Sequence, residues 1–286
     1  MDLADDISTC CSNNVEESFT ILKSLGKGKY AEVKEVKDKF SKKHFAWKRI
    51  DLKEDPFNGV EVQLLKRVKH ENIIRVHDVY ANGSVIDVML ELCSGGSLSD
   101  YIDSNFVKCG GYGGARSGWS YCGPQAWESA LILHQMLKAV NFLHENSVAH
   151  RDIKPGNLLL SKSTWKLADF NLACEFDPRG QMTEEVGTRG YAAPEVHEQC
   201  YTEKCDLYSI GVTFMKLVIG SRPGDEEKEV GLLDQKVWRN AAGHGALELT
   251  KQMLAPEPQR CDAEEALKNP WLMQHVGGNA GCCVIS

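Results

Sequence analysis

Between Phe19 and Tyr80 apolar residues recur in short runs, the pattern of β-strands, broken by one stretch of helical period. That stretch is Val60 to Val68, with Val60, Leu64, Leu65 and Val68 on one face. Val85 to Leu90 reads as a further strand, and Glu91-Leu92-Cys93-Ser94-Gly95-Gly96 as a crossover. From Ser97 onward the spacing turns helical. Trp127 to Glu145 carries Ala130, Leu131, Leu133, Leu137, Val140 and Leu143, which suits a buried helix. Leu207 to Val218 is nearly all apolar and belongs in a core, and Ala263 to Leu272 reads as a closing helix. Residues 1–18 are polar and read as a flexible leading segment, and residues 273–286 as a flexible tail.

Composition narrows the classes. The chain has 286 residues, 26% charged and 42% hydrophobic, enough for one or two globular domains. A net charge of −7 argues against general attraction to nucleic acid or anionic lipid. No run approaches the ~18 apolar residues of a membrane span. Met1-Asp2-Leu3-Ala4-Asp5-Asp6 is acidic and lacks the form of a signal peptide. The eleven cysteines are scattered without zinc-type pairs, so reduced thiols in a cytoplasmic setting are expected. The glycine-rich stretch from Cys109 to Gly123 reads as a mobile surface loop. A docking loop and a Cys109–Cys122 disulfide are its sharper alternatives.

Candidate chemistry concentrates in His150-Arg151-Asp152-Ile153-Lys154-Pro155-Gly156-Asn157. Phosphoryl transfer needs a carboxylate to orient the attacking hydroxyl, a cation near the γ-phosphate and a magnesium ligand. Asp152, Lys154 and Asn157 supply those types within six residues. Asp169-Phe170-Asn171 follows two short apolar runs, and Ala193-Pro194-Glu195 begins 24 residues after Asp169. Upstream, Leu25-Gly26-Lys27-Gly28-Lys29-Tyr30-Ala31-Glu32-Val33 reads as a glycine-rich turn between strands, with Ala46-Trp47-Lys48 on the next strand. With these five signals in order, the chain resembles the eukaryotic protein kinase family, serine/threonine type, from Phe19 to Leu272.

The resemblance implies an α+β, bilobal protein-kinase fold with a small β-rich lobe (19–92) and a larger helical lobe (93–272). It implies ATP and Mg2+ as cofactors and protein serine or threonine hydroxyls as acceptors. Gly26 and Gly28 would let backbone amides approach phosphate oxygens, flanked by Leu25 and Lys27. Ala31 stands where the family has its third glycine. Val33 and Ala46 would cover the adenine, Leu90 would guard the back of the pocket, and Glu91 to Cys93 would form the hinge. Lys48 would bind the α- and β-phosphates, paired with Glu61; Glu54, before Pro56, is the competitor. Asp152 would orient the hydroxyl, Lys154 steady the γ-phosphate, and Asn157 and Asp169 hold magnesium.

Asn171 occupies a family glycine position where the backbone must pivot, and Asn tolerates positive φ best among the other residues. Arg151 would pair with an anion on the activation segment. Thr183 is the phosphorylation candidate, with Glu184 or Glu185 as alternative anions. Thr188 would touch the catalytic loop. Glu195 and Arg260 would form a buried ion pair, and Asp206 would hold the catalytic-loop backbone. Acids that would select upstream arginine are missing at Ser97 and Gly156, and the arginine of proline-directed relatives is missing at Ala192. Cys283-Val284-Ile285-Ser286 resembles a farnesylation box, with Cys282 available for a second acyl chain. A monomer is expected, with peripheral attachment to the cytoplasmic face of a membrane through Cys283. A pseudokinase scaffold, resting on Ala31 and Asn171, is the rival reading.

Overall fold

The structure is a computed structural model that describes residues 15–27, 31–53, 60–107, 120–121, 123–219, 238 and 242–277. Strands β1 (Phe19–Lys27), β2 (Ala31–Asp38), β3 (His44–Asp51), β4 (Val76–Asn82) and β5 (Val85–Glu91) form an antiparallel sheet in the order β1-β2-β3-β5-β4. Alternation in β3 decides which side chains serve the site. Trp47 packs on the outer face with Val36 and Met89. Ala46 and Ile50 face inward to the main core, and Lys48 shares that parity. The register sets Lys48 opposite Val33 on one side and Val88 on the other, and pairs Ala46 with Leu90.

The leading segment is not wholly loose. Val15–Ser18 forms one helical turn, α1, and Val15 is buried beside Phe19, Val36, Trp47 and Met89. The apolar patch on the outer sheet face needs a cover, and Val15 supplies part of it.

Helix α2 (Val60–Arg67) buries Glu61, Val62, Leu64 and Leu65, while Val60 is half-buried and Val68 is buried just past the helix end. Below the sheet come α3 (Leu98–Asn105), the paired strands β6 (Phe106–Val107) and β7 (Ser120–Tyr121), and the long α4 (Ala126–Glu145). Leu131 is only half-buried, and Ile132, Met136 and Ala139 join the core. Helix α4 is enclosed on more than one side, so a single stripe understates its burial. Strand β8 (Val148–Ala149) leads to a 3-10 turn (Pro155–Asn157), the hairpin β9 (Leu158–Ser161) and β10 (Thr164–Leu167), and β11 (Cys174–Glu175). After α5 (Pro194–His197), helix α6 (Cys205–Ile219) buries every residue except Tyr208 and Lys216. Gly211 lets α7 (His244–Leu254) approach it: an added Cβ would lie 2.9 Å from a Leu254 methyl.

The expected closing helix is two helices, α8 (Ala263–Leu267) and α9 (Pro270–Gly277). Pro270 has no N–H to continue α8 but suits the first turn of a new helix. Asn269 starts that helix by accepting the Trp271 N–H at 3.0 Å. Helix α9 therefore takes in residues 273–277 of the expected tail.

The two lobes meet along a backbone seam. Ile74 N–H donates to the Leu167 carbonyl at 2.9 Å, and Leu167 N–H donates to the Asn72 carbonyl at 2.8 Å. Around it one apolar cluster runs from Ile50 and Val88 through Ile73 and Leu167 to Phe214 and Leu272. Among the described residues, no helix is long and apolar enough to cross a membrane. The loop around Cys109 and Cys122, the Glu54 alternative, Gly28 and the Cys282–Cys283 tail lie outside the described residues.

Candidate active site

Strand β3 and helix α2 bring Lys48 and Glu61 together. Lys48 Nζ lies 2.6 Å and 2.8 Å from the two Glu61 carboxylate oxygens, and both side chains are buried. Burial alone would push the Lys48 amine down, but the Glu61 and Asp169 carboxylates outweigh it and hold the amine above its ordinary value. Glu61 also accepts the Phe170 N–H at 3.3 Å, which ties α2 to the Asp169 turn. Two further acceptors reach the same ammonium: Asp169 Oδ1 at 3.2 Å and Asn171 Oδ1 at 2.9 Å.

The Asn171 contact corrects the backbone expectation. The positive φ falls at Asp169 (65°), and Asn171 lies outside the left-handed region. The chain turns two residues early, with Phe170 fully buried against the His150 ring at 4.8 Å. Position 171 therefore makes no demand for glycine, and a side chain there can point at Lys48.

The loop holding Asp152 hangs from Asp206 on α6. One Asp206 oxygen accepts the His150 N–H and the other the Arg151 N–H, each at 2.8 Å, and His144 Nε2 lies 3.0 Å away. Burial would raise the Asp206 pKa, but His144 and the backbone donor at His150 outweigh it and hold the carboxyl below the usual value. Fixed this way, Asp152 collects three side-chain partners. Its Oδ1 accepts from the Thr188 hydroxyl at 2.6 Å. Its Oδ2 accepts from Lys154 Nζ at 2.7 Å and Asn157 Nδ2 at 3.0 Å. Lys154 Nζ also donates to Thr188 Oγ1 at 2.8 Å. Gly187 makes this approach possible: at φ 111°, an added Cβ would sit 3.0 Å from the Arg151 carbonyl.

Arg151 is closed on the other side. Its Nε donates to the Leu172 carbonyl at 2.7 Å, and its Nη1 to Glu184 at 2.8 Å and the Tyr201 hydroxyl at 3.2 Å. Tyr201 in turn donates to the Glu184 carbonyl at 2.7 Å. Of the two candidate anions the pair forms with Glu184, while Glu185 meets His197 at 2.8 Å and Thr183 is exposed. Arg260, 1% exposed, donates to both Glu195 oxygens and to the carbonyls of Ala255 (2.9 Å) and Lys204 (3.0 Å).

On the inner face of the sheet, Leu90 and Ala46 lie side by side, with Val33 and half-buried Cys93 packed on the same core. Burial pushes the Cys93 thiol up to about 12. Glu91 braces this corner by accepting from Arg75 N–H at 2.8 Å and pairing with Lys166 at 2.9 Å. At Gly26 an added Cβ would meet nothing within 4 Å, so the bare backbone there faces open space, and Leu25 beside it is exposed.

The oxygen set suits a hard divalent cation. Asn157 spends its Nδ2 on the Asp152 carboxylate and carbonyl (2.8 Å), leaving Oδ1 as its remaining acceptor. The Asp169 side chain is 40% exposed. Among the described residues no three His, Cys, Asp or Glu side chains gather as a metal cage. Magnesium takes one or two protein oxygens and completes its shell with phosphate and water, so the set fits that ion.

Residue types and spacing alone missed three members of this network: Tyr201 on Arg151, His144 on Asp206, and Asn171 on Lys48. Local sequence carries no signal for the first two, since each contact spans 50 residues or more.

Comparison with known proteins agrees with the geometry. Residues 19–272 match the family described as protein kinase domain. The chain is 30% identical over 282 residues to the serine/threonine-protein kinase PEPKR2 of Arabidopsis thaliana, covering 94% of this chain and 56% of that protein. It is 31% identical over 286 residues to calcium-dependent protein kinase 3 of Plasmodium yoelii yoelii, covering 93% of this chain and 50% of that one. The chain thus spans about half the length of the curated relatives it matches.

Proposed function

The chain belongs to the protein kinase domain family, and from that premise we propose that it transfers the γ-phosphoryl group of ATP to serine or threonine hydroxyls of proteins. The observation that carries this reading is the Asp152 carboxylate held between Thr188, Lys154 and Asn157. A carboxylate so fixed can accept a hydrogen bond from an acceptor hydroxyl and take its proton. Lys154, two residues on, supplies positive charge beside that carboxylate for the transferring group.

Lys48, kept charged and aimed by Glu61, is the proposed α/β-phosphate ligand. Asn157 and Asp169 are the residues that would hold magnesium, which when bound neutralises phosphate charge. Gly26 with Gly28, Leu25 and Lys27 would cover the phosphates, and Val33, Ala46, Leu90, Glu91 and Cys93 would enclose the base. The rival scaffold reading rests on Ala31 and Asn171, and neither displaces Lys48, Glu61, Asp152 or Asp169 from the contacts above.

Arg151 already has a carboxylate partner in Glu184. Order in the segment then does not wait on a phosphate at Thr183, which stays exposed as a modification site. The Cys283-Val284-Ile285-Ser286 sequence supports prenylation of Cys283 and peripheral membrane attachment, with Cys282 as a second acyl site. Equal partitioning of wild type and Cys283→Ser between membrane and soluble fractions would discard that tether.

Asp152→Asn tests the central reading. Purified protein with Mg·ATP and a basic acceptor protein is expected to lose about 10²–10⁴ of its transfer rate while still binding nucleotide. Near-normal turnover would remove Asp152 from the proposed role.

A further inference from the structure

We propose that Asn171 is a positioning residue that competes with nucleotide phosphate for Lys48, and so sets how strongly the protein prefers a nucleotide over its bare nucleoside. The inference rests on the reading of Lys48 as a phosphate ligand. An ammonium has three N–H donors. Lys48 Nζ has four oxygens within hydrogen-bond distance: two from Glu61 (2.6 and 2.8 Å), one from Asp169 (3.2 Å) and one from Asn171 (2.9 Å). The lysine side chain is 7% exposed, so its donors are spent within the protein. An arriving phosphate oxygen must therefore displace a partner.

The partners are unequal. Glu61 is a buried anion also fastened to the Phe170 N–H. Asp169 is an anion. Asn171 offers a neutral amide oxygen, so it lacks the charge–charge attraction that the two carboxylates add to their hydrogen bonds. Asn171 is also half-buried and free of backbone constraint at positive φ, so its side chain can swing aside. It is the partner that yields. Until it does, it occupies a donor that the phosphate needs. A glycine at this position would have no acceptor to give up.

Titration calorimetry on the full chain with ADP and with adenosine tests this, with magnesium held constant. Asn171→Ala removes one of the four oxygens that compete for the three donors, and ADP is expected to bind about three- to tenfold tighter while adenosine affinity stays put. Asn171→Leu, which keeps bulk without an acceptor, should behave the same way. Asn171→Asp replaces the neutral competitor with an anion, and ADP should weaken by at least as much. Unchanged or weaker ADP binding in both Asn171→Ala and Asn171→Leu overturns the proposal, as does an equal shift for adenosine. Lys48→Met separates the two levels: it should erase both the preference for ADP over adenosine and the effect of Asn171→Ala. If that preference survives in Lys48→Met, the phosphate-ligand reading of Lys48 falls and the proposal falls with it.

Discussion

Replacing Arg260 with Met keeps much of its volume and removes its charge. The guanidinium is 1% exposed, holds both oxygens of Glu195 and lies 5.1 Å from the Tyr208 ring centre. Without it, the Glu195 carboxylate, 13% exposed, is left nearly buried and unpaired. The carbonyls of Ala255 and Lys204 lose their donor as well. Breaking a buried pair from one side costs about 3–5 kcal/mol. At about 2–4 °C per kcal/mol for a chain of this size, the melting temperature should fall by roughly 10 °C. Urea unfolding followed by tryptophan fluorescence measures the loss directly. The double variant Arg260→Met/Glu195→Met removes the stranded charge and should recover about 2 kcal/mol or more. A single-variant loss below ~1 kcal/mol, or a double variant no better than the single, would refute the argument that an unpaired buried carboxylate dominates the cost.

Two other outcomes are expected. Glu184→Gln should loosen the segment from 172 to 192 only modestly, because the glutamate is 64% exposed and Arg151 keeps Leu172 and Tyr201. Faster amide exchange there worth about 0.5–1 kcal/mol, partly reproduced in wild type by high salt, is the expected result; unchanged exchange in both would dismiss the clamp. Asp206 titrates below its ordinary 3.8 in the folded state. Its contribution is therefore complete well above that value and disappears as pH falls through the folded pKa. Asp206→Asn should be less stable at neutral pH but lose less of its stability between about pH 4 and pH 2. Parallel acid limbs for the two proteins would contradict that.

Sequence legibility followed the range of the physics involved. The Lys48, Asp152 and Asp169 motifs are local strings legible one by one, and their juxtaposition across up to 121 residues was implied by the resemblance to the kinase family, not by spacing. Helix bodies were legible from period, as in Val60 to Val68, because burial on one face recurs every turn. Element ends were less so. Pro270 split the closing helix, a break implicit in the Asn269-Pro270 pair. Val15 gained its burial from a sheet face assembled from four strands, and beyond Phe19 no nearby residue announces it. Asn171 was legible as a departure, yet its consequence was not. The positive φ sits at Asp169, and what the amide does depends on an ammonium 123 residues away.

The seam between Asn72, Ile74 and Leu167 has a mechanical consequence. Two main-chain hydrogen bonds stitch the lobes together, while the bare backbone at Gly26 faces open space. Sliding one lobe past the other would break those bonds; rotating about them would not. Any movement between the lobes should therefore be a swing about that seam and not a slide across it.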